Sequence, residues 1–169
     1  MRKLYVFDST LRDGAQGENV NFSVMDKINI VKALDDIGVS YIEAGNPFSN
    51  PKDEEFFEKA KELQLKNAKI VAFGSTRRVG ADVAKDKSVQ VMAEISVDHV
   101  AIFGKSWDLH VTEILKTTLE ENLAMIADTV SYLKSKGKTV FFYAEHYFDG
   151  CKNNEKYAME EIKAAETAG

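Results

Sequence analysis

The chain has 169 residues, room for one hydrophobic core and one domain. Its 22 Lys plus Arg against 27 Asp plus Glu give a net charge of −5, which argues against a nucleic-acid surface, because phosphate binding needs an excess of basic charge. A single cysteine, Cys151, excludes an internal disulfide, and no apolar run approaches the ~18 residues of a membrane span or forms a signal peptide, so a soluble cytoplasmic protein with no membrane partner is expected.

Leu4 to Phe7 reads as a short buried strand. The loop behind it, Asp8 to Phe22, holds Arg12 and Asp13. Val24, Ile28, Val31, Leu34 and Ile37 then recur every three or four residues, the pattern of a helix with Ser23 as N-cap and Gly38 as stop. Val39 to Ile42 is the second strand and runs into Glu43. After Asn50-Pro51 a second helical stripe follows, Phe56, Phe57, Ala60 and Leu63, with the Lys and Glu residues of 52 to 66 as its solvated face. Ile70 to Phe73 is the third strand, followed by Ser75 to Arg77. The basic pair Arg77-Arg78 is at most a clamp for a phosphate or carboxylate. A weaker helix spans Val83 to Ile95, and His99 to Phe103 is the fourth strand, with Lys105 to Asp108 after it. One long helix is expected from Ile114 to Leu133, closed by Gly137. Thr139 to Tyr143 is the fifth strand, Glu145 and His146 follow it, and Tyr157 to Ala168 is the last helix.

Strands alternating with helices mean a parallel sheet covered by helices. Two architectures fit: an open doubly wound sheet, and the parallel (β/α) units of a TIM barrel. An open nucleotide-binding sheet would carry a Gly-rich phosphate turn after its first strand, yet Asp8 to Phe22 contains only Gly14 and Gly17. Polar, chemically capable residues follow every strand instead. A barrel gathers such residues on its carboxyl face, which favours it. A complete barrel needs about 250 residues, so the expectation is its N-terminal part only, about five of eight units.

The first loop offers a permanent cation, Arg12, beside Asp13, a hard oxygen ligand for a divalent metal. An arginine next to a metal-bound carboxylate suits polarisation of a 2-oxo acid carbonyl. A surface turn in which the two merely pair fits equally well. Near the fifth strand's end, alternation puts Tyr143 and Glu145 on one side. Glu145 there could act in acid/base work, or it caps the next helix or pairs with a lysine. His99 reads as structural, His110 as lining the site or capping the long helix, and Cys151 as a free thiol in a loop.

Asp8-Ser9-Thr10-Leu11-Arg12-Asp13-Gly14-Ala15-Gln16 resembles the first-strand signature of the α-isopropylmalate synthase and homocitrate synthase family, metal-dependent TIM-barrel acyltransferases. Within that family three stretches resemble the direct-route citramalate synthases: Phe73 to Arg78, Phe103 to Val111, and Glu145 to Asn154. The resemblance covers nearly the whole chain. It implies Claisen-type condensation of acetyl-CoA, as co-substrate, with pyruvate to (R)-citramalate, on the threonine-independent route to isoleucine. It also implies a homodimer at full length. Asp13 would be one ligand of a divalent metal ion (Mg, Mn or Zn). Arg12 would bind a pyruvate oxygen, Tyr143 would contact pyruvate, and Glu145 would serve the enolisation of acetyl-CoA. Gln16 and Glu43 would support the site.

The sequence departs from the family pattern in one respect: it has no His-x-His pair to complete the metal site. The expectation is therefore a chain, 1–169, that lacks the rest of the barrel and the C-terminal regulatory domain and has little activity by itself. The alternatives are 2-isopropylmalate or homocitrate synthesis from another 2-oxo acid, and a non-catalytic half-barrel interaction module.

Overall fold

Strands and helices alternate through the computed structural model, which describes residues 3–169. In chain order they are β1 (Phe7–Asp8), α1 (Val24–Asp36), β2 (Tyr41–Glu43), α2 (Pro51–Ala60), β3 (Lys69–Ser75), α3 (Lys87–Glu94), β4 (His99–Lys105), α4 (Asp108–His110), α5 (Leu119–Ser135), β5 (Thr139–Glu145) and α6 (Tyr147–Ala168). The single turn α4 runs on as a π-helical turn, Val111–Leu115.

The five strands lie in one parallel sheet in the order β1-β2-β3-β4-β5. Phe7 pairs with Tyr41, and Ile42 with Ile70. A sheet whose spatial order follows the chain is built from barrel-type (β/α) units; a doubly wound sheet reverses its order at a switch point. The barrel reading of the sequence therefore holds.

The residues group into two units, Met1–Phe73 with Glu94–Val100, and Gly74–Ala93 with Ala101–Gly169. In the first, Leu11, Val31, Ile42, Phe56, Phe57 and Val71 are fully buried, and the rings of Phe56 and Phe57 meet edge to face at 5.3 Å. In the second, Met92, Ile102, Ile126 and Leu133 are fully buried. Each such side chain stabilises the fold by about 1.5–3 kcal/mol relative to exposure.

The helix ends follow the local signals. Ser23 caps α1 in a capping box: its hydroxyl accepts from Asp26 N at 3.1 Å while Ser23 N donates to Asp26 Oδ2 at 2.8 Å. Gly38 then takes φ +88°, a conformation that suits glycine. Asn50 caps α2 with Pro51 in its first turn, and Thr118 caps α5.

Several expectations change. The first strand begins at Phe7, and Leu4, Tyr5 and Val6 are exposed; the Val6 carbonyl accepts from Ser40 N and Tyr41 N at 3.0 Å each, and Val6 N donates to Ser40 Oγ at 3.2 Å. The long helix from Ile114 is broken. Lys116 sits in the left-handed region (φ 54°, ψ 47°), which ends the π-turn, and α5 starts afresh behind Thr118. The last helix starts ten residues early, at Tyr147, with a non-helical kink at Asn154. Its first turns carry no apolar stripe to announce them, and Cys151 lies in this helix, half-buried, rather than in a loop. Asp53, in the first turn of α2, is buried.

Arg77 and Arg78 make internal ties rather than a ligand clamp. Arg77 is buried and binds Glu121 at 2.7 Å and Asp128 at 2.8 Å, and Arg78 Nε binds Asp86 at 3.1 Å. Among the described residues no helix is long and apolar enough to cross a membrane.

Candidate functional site

In the first unit the loop after β1 is a built turn. Asp8 accepts from Thr10 N and Thr10 Oγ1 at 3.0 Å each, and the Ser9 carbonyl accepts from Arg12 N, Asp13 N and Gly14 N at 2.9–3.1 Å. This fold-back directs Arg12 toward the end of β2. There its Nε donates to Glu43 Oε2 at 2.7 Å, and its Nη1 donates to Asp13 Oδ1 at 3.2 Å. The guanidinium also lies 4.2 Å over the centre of the Phe73 ring, a cation–π contact. Glu43 is fully buried, so the arginine offsets a desolvated charge. With Nε committed to Glu43, the Nη2 edge remains to grip an oxyanion.

Arg12 and Gln16 line a cavity of about 290 Å³ with Asn46, Lys52 and Phe73. A buried ion pair shapes its wall. Lys27 Nζ donates to Asp53 Oδ1 at 2.5 Å and to the Ala44 carbonyl at 2.7 Å, and Asp53 Oδ2 accepts from Asn46 N at 2.9 Å. The loop after β2 is thus pinned to α1 and α2. Gly45 sits in it at φ +130°, where a Cβ would come within 2.2 Å of Asp53 Oδ2. Four of the residues singled out in the sequence, Arg12, Asp13, Gln16 and Glu43, belong to this unit.

Tyr143 and Glu145 belong to the second unit, on β5, and both are half-buried. Glu145 forms an ion pair with Lys105, the last residue of β4, and Ser106 N donates to the Glu145 carbonyl at 3.0 Å. Beyond the strand ends the His110 ring lies 4.8 Å from Trp107 and 4.6 Å from His146. Burial, helped by His146 and Lys105 nearby, pushes the His110 pKa down. His99 begins β4 and lies 5.6 Å from the Tyr41 ring; burial lowers its pKa too.

Among the described residues no three His, Cys, Asp or Glu side chains come together as a metal cluster. Asp13 offers one carboxylate, 65% exposed and shared with Arg12. One such ligand does not hold a divalent ion, so these residues do not by themselves make the metal centre that the resemblance implies.

Sequence reasoning placed Lys105 behind the fourth strand and allowed Glu145 a lysine partner without joining the two, and it missed Phe73 as a partner of Arg12 and Lys27 and Asp53 as the frame of the site. The signal for Lys105 was its place directly behind an apolar strand. Nothing local marks Lys27, one of two lysines in α1, flanked by Asp26 and Ile28.

A family model described as HMGL-like matches residues 3–169. Over 167 residues the chain is 55% identical to an (R)-citramalate synthase of Aquifex aeolicus, covering 99% of this chain and 32% of that protein. It is also 39% identical over 170 residues to a homocitrate synthase of Saccharolobus islandicus, covering 100% of this chain and 35% of that one. The chain thus spans about a third of the length of these curated relatives. Among solved structures it is similar to the HMG-CoA lyase of Bacillus subtilis, with a TM-score of 0.74 at 20% identity, over 100% of this chain and 56% of that one.

Proposed function

Since the chain belongs to the HMGL-like family, we propose that it contributes (β/α) units to the catalytic barrel of an acyltransferase. In this reading the enzyme condenses acetyl-CoA with pyruvate and water to give (R)-citramalate and CoA, on the route to isoleucine. It works in the cytoplasm as a homodimer. The 55% identity to an (R)-citramalate synthase supports the choice of reaction. The structural observation that carries it is Arg12, held by buried Glu43 and Phe73 at the wall of a polar cavity.

Glu145 takes a proton from the methyl group of acetyl-CoA, and the resulting enolate carbon attacks the ketone carbon of pyruvate. The ketone oxygen becomes an alkoxide, and the Arg12 guanidinium stabilises that developing charge. Tyr143 donates a hydrogen bond to the pyruvate carboxylate, and Gln16 lines the same cavity as Arg12. The proton taken by Glu145 balances the one the alkoxide gains; water then attacks the thioester carbonyl, and CoA leaves as the thiol with a proton from that water. Asp13 would be one ligand of a divalent ion (Mg, Mn or Zn), which would supply Lewis acidity.

The homocitrate synthase likeness favours one second reading, the same condensation on 2-oxoglutarate. The test is CoA release by the full-length protein with acetyl-CoA and pyruvate, 2-oxoisovalerate or 2-oxoglutarate in turn. Pyruvate is expected to give a kcat/KM at least ~10-fold above the others. A higher value for either competitor reassigns the substrate. An unchanged rate in Arg12→Ala removes Arg12 from the reaction.

A further inference from the structure

We infer that Lys105 is a positioning residue for Glu145, fixing the carboxylate from the neighbouring strand; the kinetic consequence rests on the reaction proposed above. Lys105 ends β4 and Glu145 ends β5, and these strands are neighbours in the sheet. The backbone holds the two ends level, because Ser106 N donates to the Glu145 carbonyl at 3.0 Å. From the other side Asn122 Nδ2 donates to the Lys105 carbonyl at 2.9 Å, so α5 anchors the residue that carries the ammonium. The lysine stem runs along Phe103, with Nζ 5.5 Å from its ring centre, and the ammonium binds Glu145 Oε2. The Lys105 side chain is only 18% exposed, while Glu145 keeps 38%. Here the cation is packed and fixed by the fold, and the carboxylate it holds still opens outward. A fixed charge that orients an acid/base group cuts the freedom that group would lose in the transition state.

The experiment uses the full-length protein with Lys105→Met, Lys105→Arg, Glu145→Gln and the Lys105→Met/Glu145→Gln pair. Lys105→Met is expected to lower kcat ~10-fold or more with the pyruvate KM within ~2-fold, and Lys105→Arg to recover most of that loss. The double variant should be no slower than Glu145→Gln alone, because Lys105 acts only through Glu145. A wild-type kcat in Lys105→Met, or a double variant whose loss multiplies the two single losses, overturns the inference. Lys105→Gln replaces the Met variant if that one does not fold. A crystal structure of the neutral variant reads the same point without turnover. A displaced Glu145 carboxylate supports the assignment and an unmoved one overturns it, even if pyruvate proves to be the wrong substrate.

Discussion

Glu43 has no exposure to solvent and, among the described residues, meets one cation, Arg12, whose Nε lies 2.7 Å from its Oε2. The pair joins the loop after β1 to the last residue of β2. A buried carboxylate with a single charged partner makes the arginine side chain both a binding group and a structural requirement.

Removing either partner therefore has two effects. Arg12→Ala leaves the Glu43 charge buried and alone, which costs about 3 kcal/mol in folding stability. Replacing both, as Arg12→Met/Glu43→Leu, should recover much of that stability and none of the activity. Urea unfolding midpoints and turnover on the same preparations check this. A single variant as stable as wild type would show that the pair does not constrain the fold.

Gly45→Ala should be strongly destabilising. Its φ of +130° disfavours any side chain, and the new Cβ would press on Asp53, whose ion pair with Lys27 is buried. A loss of at least ~2 kcal/mol is expected. Thermal melting of Gly45→Ala beside Gly17→Ala is the measurement. Gly17 lies outside the left-handed region with its nearest side-chain neighbour at 3.1 Å, so its substitution should cost less.

Glu161 is fully buried, and desolvation pushes its carboxyl from 4.5 up to about 7, with the Ser106 hydroxyl offsetting part of the rise. A raised acid favours the folded state below its unfolded value, and that advantage is lost as pH climbs through about 7. Glu161→Gln should match wild type below about pH 4 and be more stable above pH 8, by up to about 3 kcal/mol. Melting temperatures across that range test it; parallel curves for the two proteins would contradict it.

Asp86 behaves in the opposite sense. Burial would raise its carboxyl, but hydrogen bonds from Ser88, from Arg78 and from Val89 N outweigh it and hold it at about 2. Its stabilisation is present above the ordinary value of 3.8 and disappears as pH falls through about 2. Asp86→Asn should cost about 2 kcal/mol at pH 7 and progressively less below pH 4. A deficit that stays constant down to pH 2 would refute the assignment.

Much of the fold was legible in local sequence. Ser23 with Asp26, Asn50 with Pro51, and the glycines at 38 and 137 each satisfy or release backbone groups within a few residues, so helix ends could be read directly. Where no local signal existed the reading failed. Lys116 adopts a left-handed conformation with no glycine to announce it, and the first turns of α6 carry no apolar stripe at helical spacing. Leu4 to Val6 looked like core because apolar residues usually are, yet burial depends on what lies opposite.

The residues alone determined the alternation of strand and helix, the caps, and which polar side chains sit at or just behind the strand ends. These depend on periodicity and on hydrogen bonds that close within one turn. Only the tertiary structure decided the partnerships: Arg12 with Glu43 thirty-one positions on, Lys27 with Asp53 twenty-six on, and Lys105 with Glu145 forty on. Each parallel crossover returns the chain beside an earlier strand at a distance set by helix and loop length. Which carboxylate a given cation meets is therefore fixed by the register of the sheet and by packing, and no short-range pattern encodes it.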